Sequence, residues 1–283
     1  MAQYSESGQV IDATAFERAK GIFAAPSSRL PTDMVQALAT EVISRLSQRS
    51  AVSTQFCEDP VDHGTEARIE ALCHALLGDD EREATEIVME AHAAGASVEV
   101  LYLGYLAEAA RRLGTWWDDD KISSVEVVIG AGRIYAIMRG LRRLFGPGQA
   151  RGQKYRAVFA SVPGETHVLG VAMAADLLTM HGWEIDLRAG LDHDTLVQEI
   201  GHNRYPIIGL SAGTNRMLFP LARLIVALRV SNPSAWILIS GPITDLVPDV
   251  VNLVDADACA HGLTEAEAMM EAFVASTQRQ AEG

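Results

Sequence analysis

"FASVPGETHVLGVAMAADLL", Phe159 to Leu178, joins an apolar run to a helical pattern through a short loop that holds an acid and a histidine two positions apart. The run is brief and continuous in apolar residues, as suits a strand buried on both faces, and apolar residues recur at helical spacing after it. Four more short runs follow the first one, "YRAVFASV": they are "WEIDLRA", "YPIIGLSA", "AWILISG" and "ADACAHG". Helical segments separate or follow them, "HVLGVAMAADLLTMHG", "DHDTLVQEIGHN", "RMLFPLARLIVALRVSN" and "LTEAEAMMEAFVAST" among them. This alternation predicts a doubly wound parallel sheet of five strands, a Rossmann-like α/β domain over residues 155–283. Ligands of such sheets bind at the carboxyl ends of the strands, where the Glu165-Thr166-His167 loop falls and where the next helix exposes its first N–H groups.

Upstream the period is different. "TDMVQALATEVISRLSQ", "TEARIEALCHALLGDD", "DEREATEIVMEAHAAG", "SVEVLYLGYLAEAARRLGTWWDDD" and "SSVEVVIGAGRIYAIMRGLRRLF" all place apolar residues three and four apart. They predict an all-helical bundle over 33–145. Residues 1–32 have weak periodicity and read as a loosely attached lead segment, and "GPGQARGQK", residues 146–154, has linker composition.

Composition excludes several classes. The 283 residues are 48% hydrophobic and 21% charged, ordinary values for a soluble chain of one or two domains. Cys57, Cys73 and Cys259 are odd in number and lack C-x-x-C spacing, so they read as buried small hydrophobes in a reducing cytoplasm rather than as disulfides or a zinc site. The first residues show no export signal, and no window is apolar enough to span a bilayer. A net charge of −14 opposes direct nucleic-acid binding, which needs clustered Lys and Arg. The expectation is a cytoplasmic protein that touches neither membrane nor DNA.

The loop after the first strand is not a dinucleotide fingerprint. Gly164 and Gly170 bracket it, but Glu-Thr-His fills the turn where the middle glycine would stand. No Gly-x-Ser-x-Gly or Ser-His-Asp pattern appears, and Asp118-Asp119-Asp120 lacks the spacing of a calcium loop. His181, His193, His202 and His261 are expected in turns, without paired ligand spacing. Trp116-Trp117 reads equally well as a helix-end core anchor, and Leu101, Leu106, Met89 and Met270 read as core.

Glu165-Thr166-His167-Val168-Leu169-Gly170 resembles the D/E-x-H-x-x-G signature of base-off, His-on cobalamin-binding domains. The resemblance implies that His167 ligates cobalt, that Glu165 fixes its tautomer, and that Gly170 lets the helix pack on the buried nucleotide tail. The chemistry is consistent, since a neutral imidazole suits a first-row transition metal and an acidic neighbour raises its basicity. It also implies tail contacts from Ser211 and Thr214 in "GLSAGTN" and from Gly241 in "LISGPIT", although Gly213 and Pro242 depart from the usual pattern.

An upstream helical bundle is the usual companion of that domain, and Trp117 would shield the upper face of the corrin. Light-sensing relatives follow this tryptophan with a Glu-His pair, which Val127 and Val128 replace here. What remains, from Val125 to Ile134 with Arg133, is similar to the AerR/PpaA-like antirepressor group. That likeness implies a cobalamin-binding regulator, in the adenosyl or hydroxo form, with no enzyme activity of its own. Its signal would be light or cobalamin supply, and its partner a PpsR/CrtJ-like transcription factor. The same scaffold also serves corrinoid shuttle subunits that carry methyl groups, and haem-binding sensors.

Overall fold

The protein is described by a computed structural model over residues 66–145 and 155–282. The lead segment, the helix expected from Thr32, Cys57, His63 and the linker 146–154 lie outside the described residues.

The first half is helical. α1 (Glu66–Leu77) buries Ile69, Leu72, Cys73 and Leu76, a three-four stripe, and α2 (Glu83–Ala93) packs on it. The next helix is not uniform. Its first part, Val100–Leu106, is a π-helix, and it continues as α3 (Ala107–Asp118). The wider turn was not legible in the apolar spacing, because a π segment changes the backbone bonding without removing the periodic residues on either side. α4 (Ser124–Phe145) opens on a capping box: Ser123 N–H donates to Glu126 Oε2 at 2.7 Å, and Glu126 N–H donates back to Ser123 Oγ at 3.3 Å. Further along α4, Arg133 is buried and donates from one guanidinium nitrogen to the carbonyls of Ala75, Leu76 and Gly78, at 3.3, 2.8 and 2.7 Å. Those carbonyls belong to the end of α1, where a helix has no intrahelical donors left and its dipole favours a cation.

The second half is a five-stranded, all-parallel sheet in the order β2-β1-β3-β4-β5. Its strands are β1 (Arg156–Ser161), β2 (Glu184–Arg188), β3 (Ile207–Ser211), β4 (Trp236–Ser240) and β5 (Ala258–Ala260). The long helices between and after them are α5 (Leu169–Met180), α6 (His193–Asn203), α7 (Leu218–Ser231) and α10 (Leu263–Glu282). Two short ones, α8 (Ile243–Leu246) and α9 (Val250–Val254), fill the β4–β5 connection. Strand order reverses between β1 and β3, so their loops diverge and leave a crevice at the carboxyl edge. α6 and α7 pack on one sheet face; α5, α10 and the helical cap share a continuous apolar core with the other.

One polar cluster crosses from cap to sheet domain. The Tyr102 hydroxyl, on the π-helix, lies 3.1 Å from Asp176 Oδ2 on α5 and 3.2 Å from the Met138 carbonyl oxygen on α4. Arg142 Nε approaches the same carboxylate at 3.2 Å. Burial pushes the Asp176 carboxyl up to about 6 against the pull of Arg142 and Tyr102. Among the cysteines, Cys73 is buried and its thiol is raised to about 12 by desolvation. Cys259 is only partly buried, because β5 is the edge strand and covers one side alone.

Two stability outcomes follow from these contacts. Arg133→Met should lower unfolding free energy in urea by about 3 kcal/mol, because buried carbonyls lose a charged donor. Asp176 binds its proton more tightly when folded, so its contribution is fully present below about pH 4 and is lost as the pH rises through 6. Wild type should therefore lose about 3 kcal/mol across that window from this residue, and Asp176→Asn should flatten that part of the urea-measured profile.

Candidate functional site

Val162 to Val168 connects β1 to α5 and carries the predicted motif. Glu165 is its organiser. The carboxylate is almost fully buried, and Oε1 accepts from the backbone N–H of Thr166 at 2.7 Å and of His167 at 2.8 Å. The same oxygen lies 2.7 Å from His167 Nδ1, and Oε2 accepts from the backbone N–H of Gly213, in the loop after β3. Burial by itself would raise this carboxyl. The His167 ring and the backbone N–H groups of His167 and Gly213 outweigh burial and hold it below the usual glutamate value. An ionised Glu165 accepts from Nδ1–H, so His167 is left with Nε2 as its free lone pair, and the imidazole is 37% exposed toward a cleft.

Gly213 explains one departure from the expected pattern. A Cβ there would stand 3.0 Å from His167 Nδ1 and 3.1 Å from a Glu165 oxygen, inside the space the knot occupies. Gly241 is also required: its φ is +92°, and a Cβ would meet the Ala212 carbonyl oxygen at 2.7 Å. Pro242, the other departure, has φ −56° and precedes α8, a place where its missing N–H costs nothing.

The cleft has a volume of about 760 Å³ and runs from the cap down the face of the sheet. From the cap it is lined by Leu103, Ala107, Ala110, Gly114, Trp117, Val127, Ala131 and Tyr135. From the sheet domain it meets the 164–167 loop, Gly170, Met173 and Ala174, and then the sheet itself. Register decides what lies there. Phe159, Gly209 and Leu238 form one lateral row, and Ser161, Ser211, Ser240 and Ala260 form the next row toward the carboxyl edge. Ser211 and Ser240 thus offer adjacent hydroxyls at the mouth of an otherwise apolar slot, while Ser161 Oγ accepts from the Gly190 N–H. The sequence reading singled out Ser211 alone. Its signal for Ser240 was the serine that ends each of "VFAS", "IGLS" and "ILIS", which acquires meaning once the strands are in parallel register.

Of the expected site residues, Glu165, Thr166, His167, Gly170, Ser211, Thr214, Gly241, Trp117 and Val127 all line this cleft. Val128 does not, because the next residue on a helix points about 100° away. The tandem tryptophans divide: Trp117 faces the cleft, while the Trp116 ring packs 5.0 Å from His74. His74 is thereby held away from the cleft, and His92 Nδ1 lies 3.1 Å from the Ala96 carbonyl oxygen. Two of the histidines expected in turns are helical. Asp192 accepts from the N–H groups of Asp194 and Thr195, which starts α6 at His193 and places His202 in its last turn. His261 lies at the cleft, where its Nδ1 is 2.8 Å from Asp245 Oδ1.

Comparison with known proteins agrees with this architecture. Residues 155–274 match a family model described as a B12 binding domain, and residues 68–142 match a second model of that description. The chain is a cobalamin-binding-domain protein, composed of a helical B12-binding cap and an α/β B12-binding domain. Among curated proteins it is 33% identical, over 94 residues, to an uncharacterized 20.5 kDa protein in the bchF-crtJ intergenic region of Rhodobacter capsulatus. That match covers 33% of this chain and about half, 49%, of the relative's length. Among solved structures, the monomethylamine corrinoid protein of Methanosarcina barkeri superposes with a TM-score of 0.60 at 17% identity. The superposition covers 74% of this chain and all of that one, a likeness of fold.

Replacing the acceptor at the centre of the knot should be felt at the imidazole. Glu165→Gln turns one carboxylate oxygen into an NH₂ that opposes the donors around it, and should weaken cobalamin affinity by about 10- to 100-fold. Equilibrium titration followed by visible absorption measures it.

Proposed function

We propose that this protein is a cobalamin-binding regulator that acts by associating with a transcriptional repressor and carries out no chemistry on a substrate. The observation that carries the cofactor half of this reading is the Glu165–His167 pair at the mouth of the cleft. Nδ1 is engaged by the buried carboxylate, so Nε2 is the nitrogen available to a metal, and the ring is held in one orientation. The residues around it fit a corrinoid with its nucleotide tail extended. The slot beside Phe159, Gly209 and Leu238 is apolar, Ser211 and Ser240 supply hydroxyls, and a Cβ on Gly170 would meet nothing within 4 Å. Trp117 and Val127 stand on the cap side. A bound cobalamin would supply ligand exchange at cobalt that responds to light, and occupancy of the site would report cofactor supply.

The regulatory half draws its support elsewhere. The sequence resembles the AerR/PpaA-like group, and the Rhodobacter capsulatus relative is described by its place beside crtJ, which supports a PpsR/CrtJ-like factor as partner. The cap presents no histidine to the cleft among the described residues, so His167 has no imidazole counterpart there. A ligand shifts a regulator only as far as it binds one state better than the other, and this cleft has walls from both halves of the chain.

Loading with hydroxocobalamin, desalting and recording the spectrum tests the site. Wild type should retain the corrinoid, and His167→Ala should retain at least about 100-fold less, since the metal–nitrogen bond is gone. Equal retention overturns the assignment, and a haem spectrum from the purified protein would replace the cofactor. In the same preparation a gel shift with promoter DNA should be blank for this acidic protein alone and should change only when the repressor is present. A repressor–DNA complex indifferent to the loaded protein overturns the regulatory half.

A further inference from the structure

Two lateral rows of the sheet face the cleft, and they differ in polarity. The outer row, at the carboxyl edge, carries the Ser211 and Ser240 hydroxyls side by side on β3 and β4. Among the described residues neither hydroxyl has a hydrogen-bond partner, whereas Ser161 Oγ accepts from the Gly190 N–H at 3.0 Å. The inner row lies two residues deeper, about 6.6 Å along the strands, and consists of Phe159, Gly209 and Leu238. A Cβ on Gly209 would stand 3.0 Å from two carbons of the Phe159 ring, so the glycine gives that ring the space to lie across β3.

Nothing polar is offered at the depth of the inner row. Its backbone N–H and C=O groups are taken up by the parallel ladders on either side. The helices over this face line the cleft with apolar side chains, among them Met173 and Ala174 of α5 and Ala266 of α10, where the Met173 sulfur is a weak acceptor. The slot is therefore amphipathic along its length, with free hydroxyls at the mouth and hydrocarbon beyond them.

We infer that this slot discriminates among cobamides, corrinoids that differ in the lower base of the nucleotide tail, and takes a base with an apolar far end, such as dimethylbenzimidazole, over a purine. The inference rests on the cofactor half of the proposed function. With His167 on cobalt the base is free of the metal, and its sugar-phosphate tether holds one ring nitrogen toward the mouth. The other nitrogen of that five-membered ring then accepts from Ser211 or Ser240, in benzimidazole and purine alike. Discrimination falls to the opposite end. Dimethylbenzimidazole brings two methyl groups toward Phe159 and Leu238. Adenine brings ring nitrogens and an exocyclic amine, which give up water there for no matching partner.

The test titrates three corrinoids into the full chain at equilibrium by visible absorption: hydroxocobalamin, the same corrinoid with adenine as its lower base, and cobinamide, which has no base and reads the His167 bond alone. The dimethylbenzimidazole form should bind at least about tenfold more tightly than the adenine form. Ser211→Ala combined with Ser240→Ala, at the mouth, should weaken both base-bearing forms by a similar factor, about fivefold, and leave cobinamide unchanged. Leu238→Asn puts an amide in the inner row and should cut the preference severalfold; if that core substitution unfolds the domain, the wild-type ratio and the serine pair still decide. Equal affinity for the two base-bearing forms, tighter binding of the adenine form, or a preference that the serine substitutions remove overturns the inference. Failure of all three corrinoids to bind overturns the cofactor reading with it, so cobinamide separates the two failures.

Discussion

The buried carboxylate of Glu165 is the constraint on which the site depends. An ionised acid in an apolar surround is costly unless hydrogen bonds replace its water, and here backbone N–H groups from two loops and one imidazole converge on it. The knot ties the loop after β1 to the loop after β3 across the point where strand order reverses. It also orients the His167 imidazole through contacts of the chain alone. Gly213 belongs to the same constraint, since any side chain there would intrude on the carboxylate and the ring.

From that knot the structure extends in two directions. Toward the cap, α5 begins just after the histidine loop and carries Asp176, whose contacts with Tyr102 and Arg142 hold the helical half against it. The same π-helix that supplies Tyr102 also supplies Leu103 to the cleft, so the wall above the site and the polar cluster beside it share one irregular turn. Such turns concentrate where function needs a backbone that helical regularity would misplace. Toward the other face, β3 passes through the core and leads, by the 3₁₀ turn Asn215–Met217 that lines the cleft, into α7.

Much of this was readable along the chain because it is local. Parallel strands buried on both faces are short unbroken apolar runs, and helices packed on them repeat every three to four residues, so the fold class and strand sequence were available from spacing alone. The histidine motif was legible for a similar reason: Glu165, Thr166 and His167 are sequence neighbours, and most of the knot is formed within one turn. Trp117 and Ser211 were found by resemblance, and the cleft brings them together.

What the sequence by itself determined, then, is a helical half followed by five βα-like repeats with an acid–histidine loop after the first strand. Tertiary structure alone decided the rest, because each remaining feature is set by residues far apart in the chain. Arg133 looked like part of a motif and is a cap for the end of α1, more than fifty residues upstream. Ser240 became a neighbour of Ser211 through parallel register, and Val128 was turned from the cleft by the phase of α4. The pleat that lines up three serines and the helix phase that selects one valine are properties of packed elements, and no single stretch of sequence contains them.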